Sequence, residues 1–553
     1  MRYLSVFCLL LSFSMYSCLS VSKEDYGNIL TTHAISNPKT LNPQCHTSQL
    51  SDQIVNLAFQ SLVHLDLYSG KMVPLLAESL PEFEQTKEGK LKYTFKIRQQ
   101  ASWDDGKPIT ARDVEFSLNV MFNPHCNNAL RRQYLSKIES IEIDSTDNKK
   151  FTLVYAEPYI QACWALVDLK IIDHRIFDPK QLMKNCSLKK LKEYAKDFDP
   201  DKEDSLQLFG KQFNSAKYQT NTQYLRGSGA YVIDQWEHNQ YIKLKRKKQW
   251  WANNIEVNHN HYFNANSEII HFEIIKDWNL TLSALENGKL DVISFVPMDQ
   301  FVSFQNDQEI IKTYAFKSVT NYIYEYLAFN TLDSYFSDVN LRKAIASKID
   351  RDLLVDKVLL GFGSPTYSMI HPTKSYYNKE IVQIDTSQYS NIRLDPDSII
   401  KILINSGNKR KEKVANFLVN AIKSLGGKAK VESWDWKVFL DKRKKRDFDI
   451  VINTSGGSPV PEMLAQSWHT SSIESGRNFS GFGNHQSDAL IDSINMEMNE
   501  VQRNRMYKRF QWLVDKQQPY VFLYTLNQRI MLKKKFDAVK ISSIRPNYWL
   551  GDF

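Results

Sequence analysis

Cysteine is scarce in this chain, six residues in 553. None of them stands in a CxxC pair, which argues against structural zinc and dithiol redox roles. A Walker-type G-x-x-x-x-G-K-[ST] loop, an H-E-x-x-H pair and a G-x-S-x-G elbow are all missing, so no motif announces a phosphate cradle, a zincin or a nucleophile elbow. No period of 20 to 50 residues recurs, which excludes solenoids and propellers. Beyond residue 19 no apolar run reaches 18 residues, too little for a membrane-crossing helix. The charge excess is small: 71 Lys and Arg against 62 Asp and Glu, a net +9, so nucleic acid is not the default partner. What the chain does have is ordinary globular chemistry, 42% hydrophobic and 24% charged, which excludes disorder and fibrous repeats as descriptions of the whole. Its length suits three to four domain equivalents. It is rich in aromatics (30 Phe, 27 Tyr and 11 Trp), as suits a large core with an aromatic-lined pocket.

The one strongly apolar stretch is at the start. Arg2 precedes an apolar run from Tyr3 to Phe13, which reads as a signal peptide over residues 1–17. Ser17-Cys18 after that run resembles a lipobox, so Cys18 is the expected lipidation site, although Met15 and Tyr16 depart from its tighter form. Cys45, Cys126, Cys163 and Cys186 remain; an oxidising compartment permits up to two disulfides in three connectivities, or free thiols.

Helices and strands alternate along the body, which favours a mixed α/β fold. Gln53 to His64 has helical spacing. Leu91 to Ile97 alternates as a strand, and Trp103 to Pro108 is a turn. Thr110 is a candidate N-cap for a helix running to Phe122. Ile141 to Val154 reads as a strand pair. Asn340 to Val358 reads as one long amphipathic helix, and Lys413 to Leu425 as another closed by Gly426-Gly427. Phe448 to Ile452 is a short apolar strand leading into Thr454 to Pro459. Val501 to Val514 is helical, and Pro519 to Leu526 is a buried strand.

Seven blocks, in order, resemble the bacterial extracellular solute-binding proteins of family 5, which serve oligopeptide and dipeptide importers. They are Pro74 to Leu80; Tyr93 to Arg98 with Trp103 to Val114; Gly227 to Tyr231; Arg246 with Trp250-Trp251; Asn330-Thr331 with Phe336 to Arg351; Asn478 to Gly483 with Asp488 to Ile491; and Pro519 to Phe522. The physical content of these blocks is mostly architectural: a turn at Asp105-Gly106, and helix N-termini at Asp113 and Asp338. The resemblance implies an α/β, two-lobed clamp of the type II periplasmic-binding-protein kind with an additional inserted domain. The implied division is 18–57, 218–282 and 520–553 for lobe I, 58–217 for the inserted domain II and 283–519 for lobe II. It also implies ligand capture at the hinge by an open–closed equilibrium, with peptide backbones bonded as an added strand.

A buried zwitterion requires a carboxylate for its ammonium and a cation for its carboxylate. Peptide-binding relatives place an Asp in the loop after the strand Phe448 to Ile452. Here that loop offers Ser455, Gly456, Gly457 and Ser458, with Glu462 as the nearest acid; a plain tight turn is the alternative for the glycines. The departure leaves modified peptides and cell-wall fragments open as ligands. Trp468 and His469 are candidates for the cleft wall or the core. Arg477 and Asn478 are candidates for a ligand carboxylate or an inter-loop contact. Trp434 and Trp436 share a face if the strand continues through them, and Tyr322, Tyr324 and Tyr326 face either cleft or sheet.

His259, His261 and His271 lack ligand-spaced partners and read as loop histidines. The basic runs Lys243 to Lys248 and Lys442 to Arg446 read as solvated faces. The expectation is therefore a non-enzymatic receptor without catalytic residues, metal or cofactor. Its partners are a peptide or peptide-like solute and the permease subunits of an ABC importer. It is expected to be monomeric, to touch the membrane only through its lipid anchor, and to work in the periplasm or at the cell surface. A secreted peptide or cell-wall hydrolase and a binding protein feeding a sensor are the alternatives.

Overall fold

The computed structural model describes residues 28–201, 203–253, 255, 260–333, 335–457 and 459–553. The expected leader, Cys18, His259 and Ser458 lie outside them. The organising feature is a mixed sheet whose two longest strands, Tyr314–Phe329 and Tyr520–Lys533, run antiparallel through its middle. On one side of the sheet lie Tyr231–Glu237, Tyr241–Arg246, Ile269–Ile274, Ile29–Ala34 and Val292–Ser294, in that order toward the second long strand. On the other side, Lys428–Trp434, Ile399–Asn405 and Ile450–Gly456 lead to the first long strand. The short strand Gly363–Pro365 pairs with the second long strand at Tyr524 to Leu526. The two halves of the sheet are the two lobes, and the long strands belong to both.

The crossing is marked by a break in register. Thr320 pairs with Asn527 and Tyr324 with Thr525, so three residues of one strand face one of the other. Such a bulge interrupts the ladder and bends the strand locally. Val292–Ser294 sits between Ile29–Ala34 and the second long strand. Tyr520 to Thr525 pairs with the lobe II half of the first long strand. The chain changes lobe in mid-strand, where apolar periodicity continues unbroken and leaves no composition signal.

Residues 58–217 carry a four-stranded antiparallel sheet of their own, Glu82–Gln85, Leu91–Lys96, Lys150–Tyr155 and Ile138–Ile143. The helix Ala111–Phe122 packs with it, opened by a capping box in which the Thr110 amide donates to Asp113 Oδ2 at 2.8 Å. This domain and most of lobe I share one continuous core, and Leu285 to Tyr314 pack with Met531 in a separate one. Lobe II has a separate core on each face of its sheet. Its helix Lys409–Ser424 is capped by Asn408 and closed where Gly426 takes φ +86°, a left-handed conformation that favours glycine.

The expected long helix over 340–358 is two helices, Val339–Ser347 and Arg351–Leu359. Asp350 is extended and accepts from the Leu353 amide, so an N-cap interrupts a pattern whose periodicity alone carries on. The helix expected over Gln53 to His64 stops at Ala58 and a strand begins at Val63. All four described cysteines are free thiols.

Candidate functional site

The three parallel strands of lobe II end on the side facing the bulge: Gly456 lies opposite Ile323, and Ser455 opposite Tyr324. Ligands of open α/β sheets sit outside the carboxyl ends of strands, and this rim is that edge of lobe II. The Gly457 amide donates to the Tyr322 carbonyl at 2.8 Å. A Cβ on Gly457 would lie 2.7 Å from that oxygen, whereas one on Gly456 would meet nothing within 4 Å. Gly457 is thus required by close backbone approach, and Gly456 is open.

The chain after Gly457 bridges the lobes. Gln161 Nε2 of domain II donates to the Pro461 carbonyl at 2.6 Å, and the Tyr159 hydroxyl meets Met463 Sδ at 3.7 Å. The Ile160 amide donates to the Asn495 carbonyl at 3.2 Å.

The residues singled out from sequence fall into three environments. Glu462 is already partnered: Lys374 Nζ forms an ion pair with Oε1, and the Tyr376 hydroxyl donates to Oε2 at 2.6 Å. Lys374 also donates to the Val460 carbonyl at 2.8 Å. Trp468 is 5% exposed and packs against Tyr520, Phe510 and Phe482. Asn478 is buried, donating to the Phe482 and His469 carbonyls at 2.6 and 3.2 Å. His469 accepts from the Ser471 amide at 3.0 Å and faces Asp488 and Asp492 at 3.7 and 3.8 Å. These four are engaged by neighbours within lobe II.

Others are open. The strand ends at Trp434 and a helix begins at Trp436, so the two indoles do not share a strand face; both are exposed at the outer edge of the rim. Arg477 is exposed, with no ion pair among the described residues. Ser455 and Tyr324 meet through their hydroxyls, and burial pushes the Tyr324 phenol well above its usual range. Tyr324 and Tyr326 pack on Phe522 at 5.7 and 6.4 Å, while Tyr322 meets His371 at a tilt, ring centres 4.4 Å apart.

Two cavities lie near one another, and the second reaches the bridging loop. The first, about 150 Å³, is lined by lobe I and domain II and opens to solvent, with Leu57, Tyr262 and Trp549 among its apolar walls and Asp52, His64, Asp168 and Arg545 among its polar ones. The second, about 280 Å³, reaches Gln161 and Val460 of the bridging contact. Leu65, Val167 and Asp168 line both. Burial lowers His64 to about 3, so its imidazole is neutral here. Asp52 faces His46 Nε2 and Asn56 Nδ2, each at 3.3 Å. None of these cavity residues stood out in the sequence, because they are scattered along the chain and carry no motif.

Outside the cleft, Asp113, Asp173 and His174 bring oxygen and nitrogen atoms within 4.8 Å of one another. Their atoms are already engaged: Asp173 pairs with Arg175 at 2.6 Å, and Asp113 serves the Thr110 cap and His174 Nδ1 at 3.0 Å.

The model described as "Bacterial extracellular solute-binding proteins, family 5 Middle" matches residues 71–475. The oligopeptide-binding protein AppA of Bacillus subtilis is 23% identical over 554 aligned residues, covering 96% of this chain and 92% of its own. The structure of that protein in complex with a nonapeptide superposes with a TM-score of 0.67 at 20% identity, covering 95% of this chain and 99% of the other. The ABC transporter substrate-binding protein CtaP of Listeria monocytogenes gives a TM-score of 0.73 at 18% identity, covering 92% and 94%.

Proposed function

The chain belongs to the bacterial extracellular solute-binding proteins of family 5, and from that premise we propose that it is the extracytoplasmic binding component of an ABC importer. It captures peptides or peptide-like solutes between its lobes and hands them to permease subunits in the membrane. The observation that carries this reading is the pairing of a bulged two-strand hinge with a lobe-bridging loop that reaches the second of two neighbouring cavities. Such a hinge gives two states, and a solute that touches both lobes favours the closed one. Function then needs no chemistry, only differential binding.

The ligand-binding set we carry forward from the rim is Ser455, Gly456, Gly457, Trp434, Trp436, Tyr324 and Arg477, with Ser458 beyond the described residues. Anchoring at Cys18, a monomeric state and a place in the periplasm or at the cell surface complete the proposal. No helix among the described residues is long and apolar enough to cross a membrane. A ligand that binds only the folded chain raises its melting temperature. A panel of free tripeptides is expected to do so without being cleaved. Cleavage supports the hydrolase alternative, and a flat response across the panel removes the peptide reading.

A further inference from the structure

An unpaired guanidinium on a cavity wall keeps its donors available to an anionic group of a ligand. Arg545 is such a group. It lines the first cavity, and among the described residues no ion pair or hydrogen bond reaches its guanidinium. The side chain is open to solvent within the cavity, yet surrounding protein is dense enough that burial lowers its pKa. Its backbone is firmly held. The Ser542 amide donates to the Asn547 carbonyl at 2.7 Å, and the Asn547 amide to the Ile544 carbonyl at 2.8 Å. Asn547 Nδ2 also donates to Asn321 Oδ1 at 2.8 Å. Asn321 is the first residue of the hinge bulge, so the turn that presents Arg545 is fastened to the hinge.

Asp168 is the complementary group. Its backbone carbonyl accepts from Arg131 Nη1 at 3.0 Å and from the Lys170 amide at 3.1 Å. Its carboxylate is exposed and takes no hydrogen bond or ion pair from the described residues. It borders both cavities. Asp52, the other acid of the first cavity, is already faced by His46 and Asn56. The acid expected on the lobe II loop, Glu462, is held by Lys374 and Tyr376.

We propose that Arg545 and Asp168, facing one cavity from the side of lobe I and domain II, take the carboxylate and the ammonium of a zwitterionic solute. The proposal rests on the solute-binding reading above and deepens it. The guanidinium fork suits a carboxylate bidentately, and the exposed carboxylate accepts the ammonium. Ligand polarity is then set by the first lobe, and the loop after Gly457 closes over a ligand already oriented.

The test uses the purified full chain and three random tripeptide libraries: free at both ends, C-terminally amidated, and N-terminally acetylated. Retention is read by native mass spectrometry. Wild type is expected to prefer the free library over each blocked one by roughly tenfold to a hundredfold, the scale of one charge-assisted contact. Arg545→Gln is expected to erase discrimination against the amide alone, and Asp168→Asn discrimination against the acetylated library alone. Arg545→Lys keeps the charge without the fork and should discriminate at an intermediate level. It also gives a reading should Arg545→Gln not fold. Equal retention of free and blocked libraries by wild type, or free-library preferences unmoved by both substitutions, overturns the assignment while leaving solute binding standing. Retention of no library overturns the peptide reading and this assignment together.

Discussion

Lys374 and Glu462 form an ion pair at the foot of the lobe-bridging loop, with Tyr376 donating to the second carboxylate oxygen. The Tyr507 hydroxyl donates to the Glu462 carbonyl at 2.8 Å, so both the side chain and the backbone of Glu462 are fixed. An acid so placed shapes the loop.

Removing one partner should therefore cost stability first. Lys374→Met leaves Glu462 partly buried without its cation, and the expected loss is about 3 kcal/mol, the low end for a buried pair because Glu462 keeps some solvent. Urea unfolding of Lys374→Met, Glu462→Gln and the double variant checks this. The double variant should be less unstable than the two losses added. A Glu462→Gln variant of unchanged stability that loses peptide binding would assign the acid to ligand instead.

The two adjacent glycines should behave differently. Gly457→Ala forces a Cβ to 2.7 Å from the Tyr322 carbonyl, an overpacking expected to cost about 1–3 kcal/mol. Gly456→Ala meets open space and is expected to stay within about 0.5 kcal/mol of wild type. Paired denaturation curves decide the point, and equal effects contradict the close approach.

Trp468→Ala removes a buried indole from the lobe II core and is expected to cost about 3–5 kcal/mol. Trp436→Ala, at an exposed position, is expected to leave the melting temperature nearly unchanged. If Trp436→Ala instead weakens peptide retention, the rim of lobe II extends the site to that edge.

His174 gives a pH dependence with a definite sign. Its hydrogen bond to the buried Asp113, 3.0 Å away, raises its pKa above the ordinary histidine value. A group whose pKa is raised on folding contributes stability that is fully present below its unfolded pKa, about 6.5, and is lost as pH rises through the folded value. His174→Gln should thus lower the melting temperature more at pH 5.5 than at pH 8.5. An equal drop at both pH values rules the charge out as the cause.

Much of the fold was legible because each signal was local. Thr110 announced an N-cap with Asp113 in the first turn, Gly426 a helix end, and the alternation at Leu91 to Ile97 a strand, and all three are found. The break at Asp350 was less legible, since Leu341, Ile345, Ile349 and Leu353 keep helical spacing across it, and a capping acid looks like any surface acid. The lobe exchange within the two long strands leaves no trace in composition. The cavity was least legible. Glu462 looked available because its neutralising partner stands 88 positions away. Arg545 and Asp168 are set on the cavity by turns and backbone contacts that no spacing rule anticipates.

Equilibrium dialysis of the full chain against a labelled library of free tripeptides, followed by recovery of the bound fraction, tests the central claim most directly. Saturable retention of peptides that are recovered intact is the predicted result. Peptides left unbound at every concentration, or recovered as cleavage products, would contradict a clamp that captures solute and releases it unchanged.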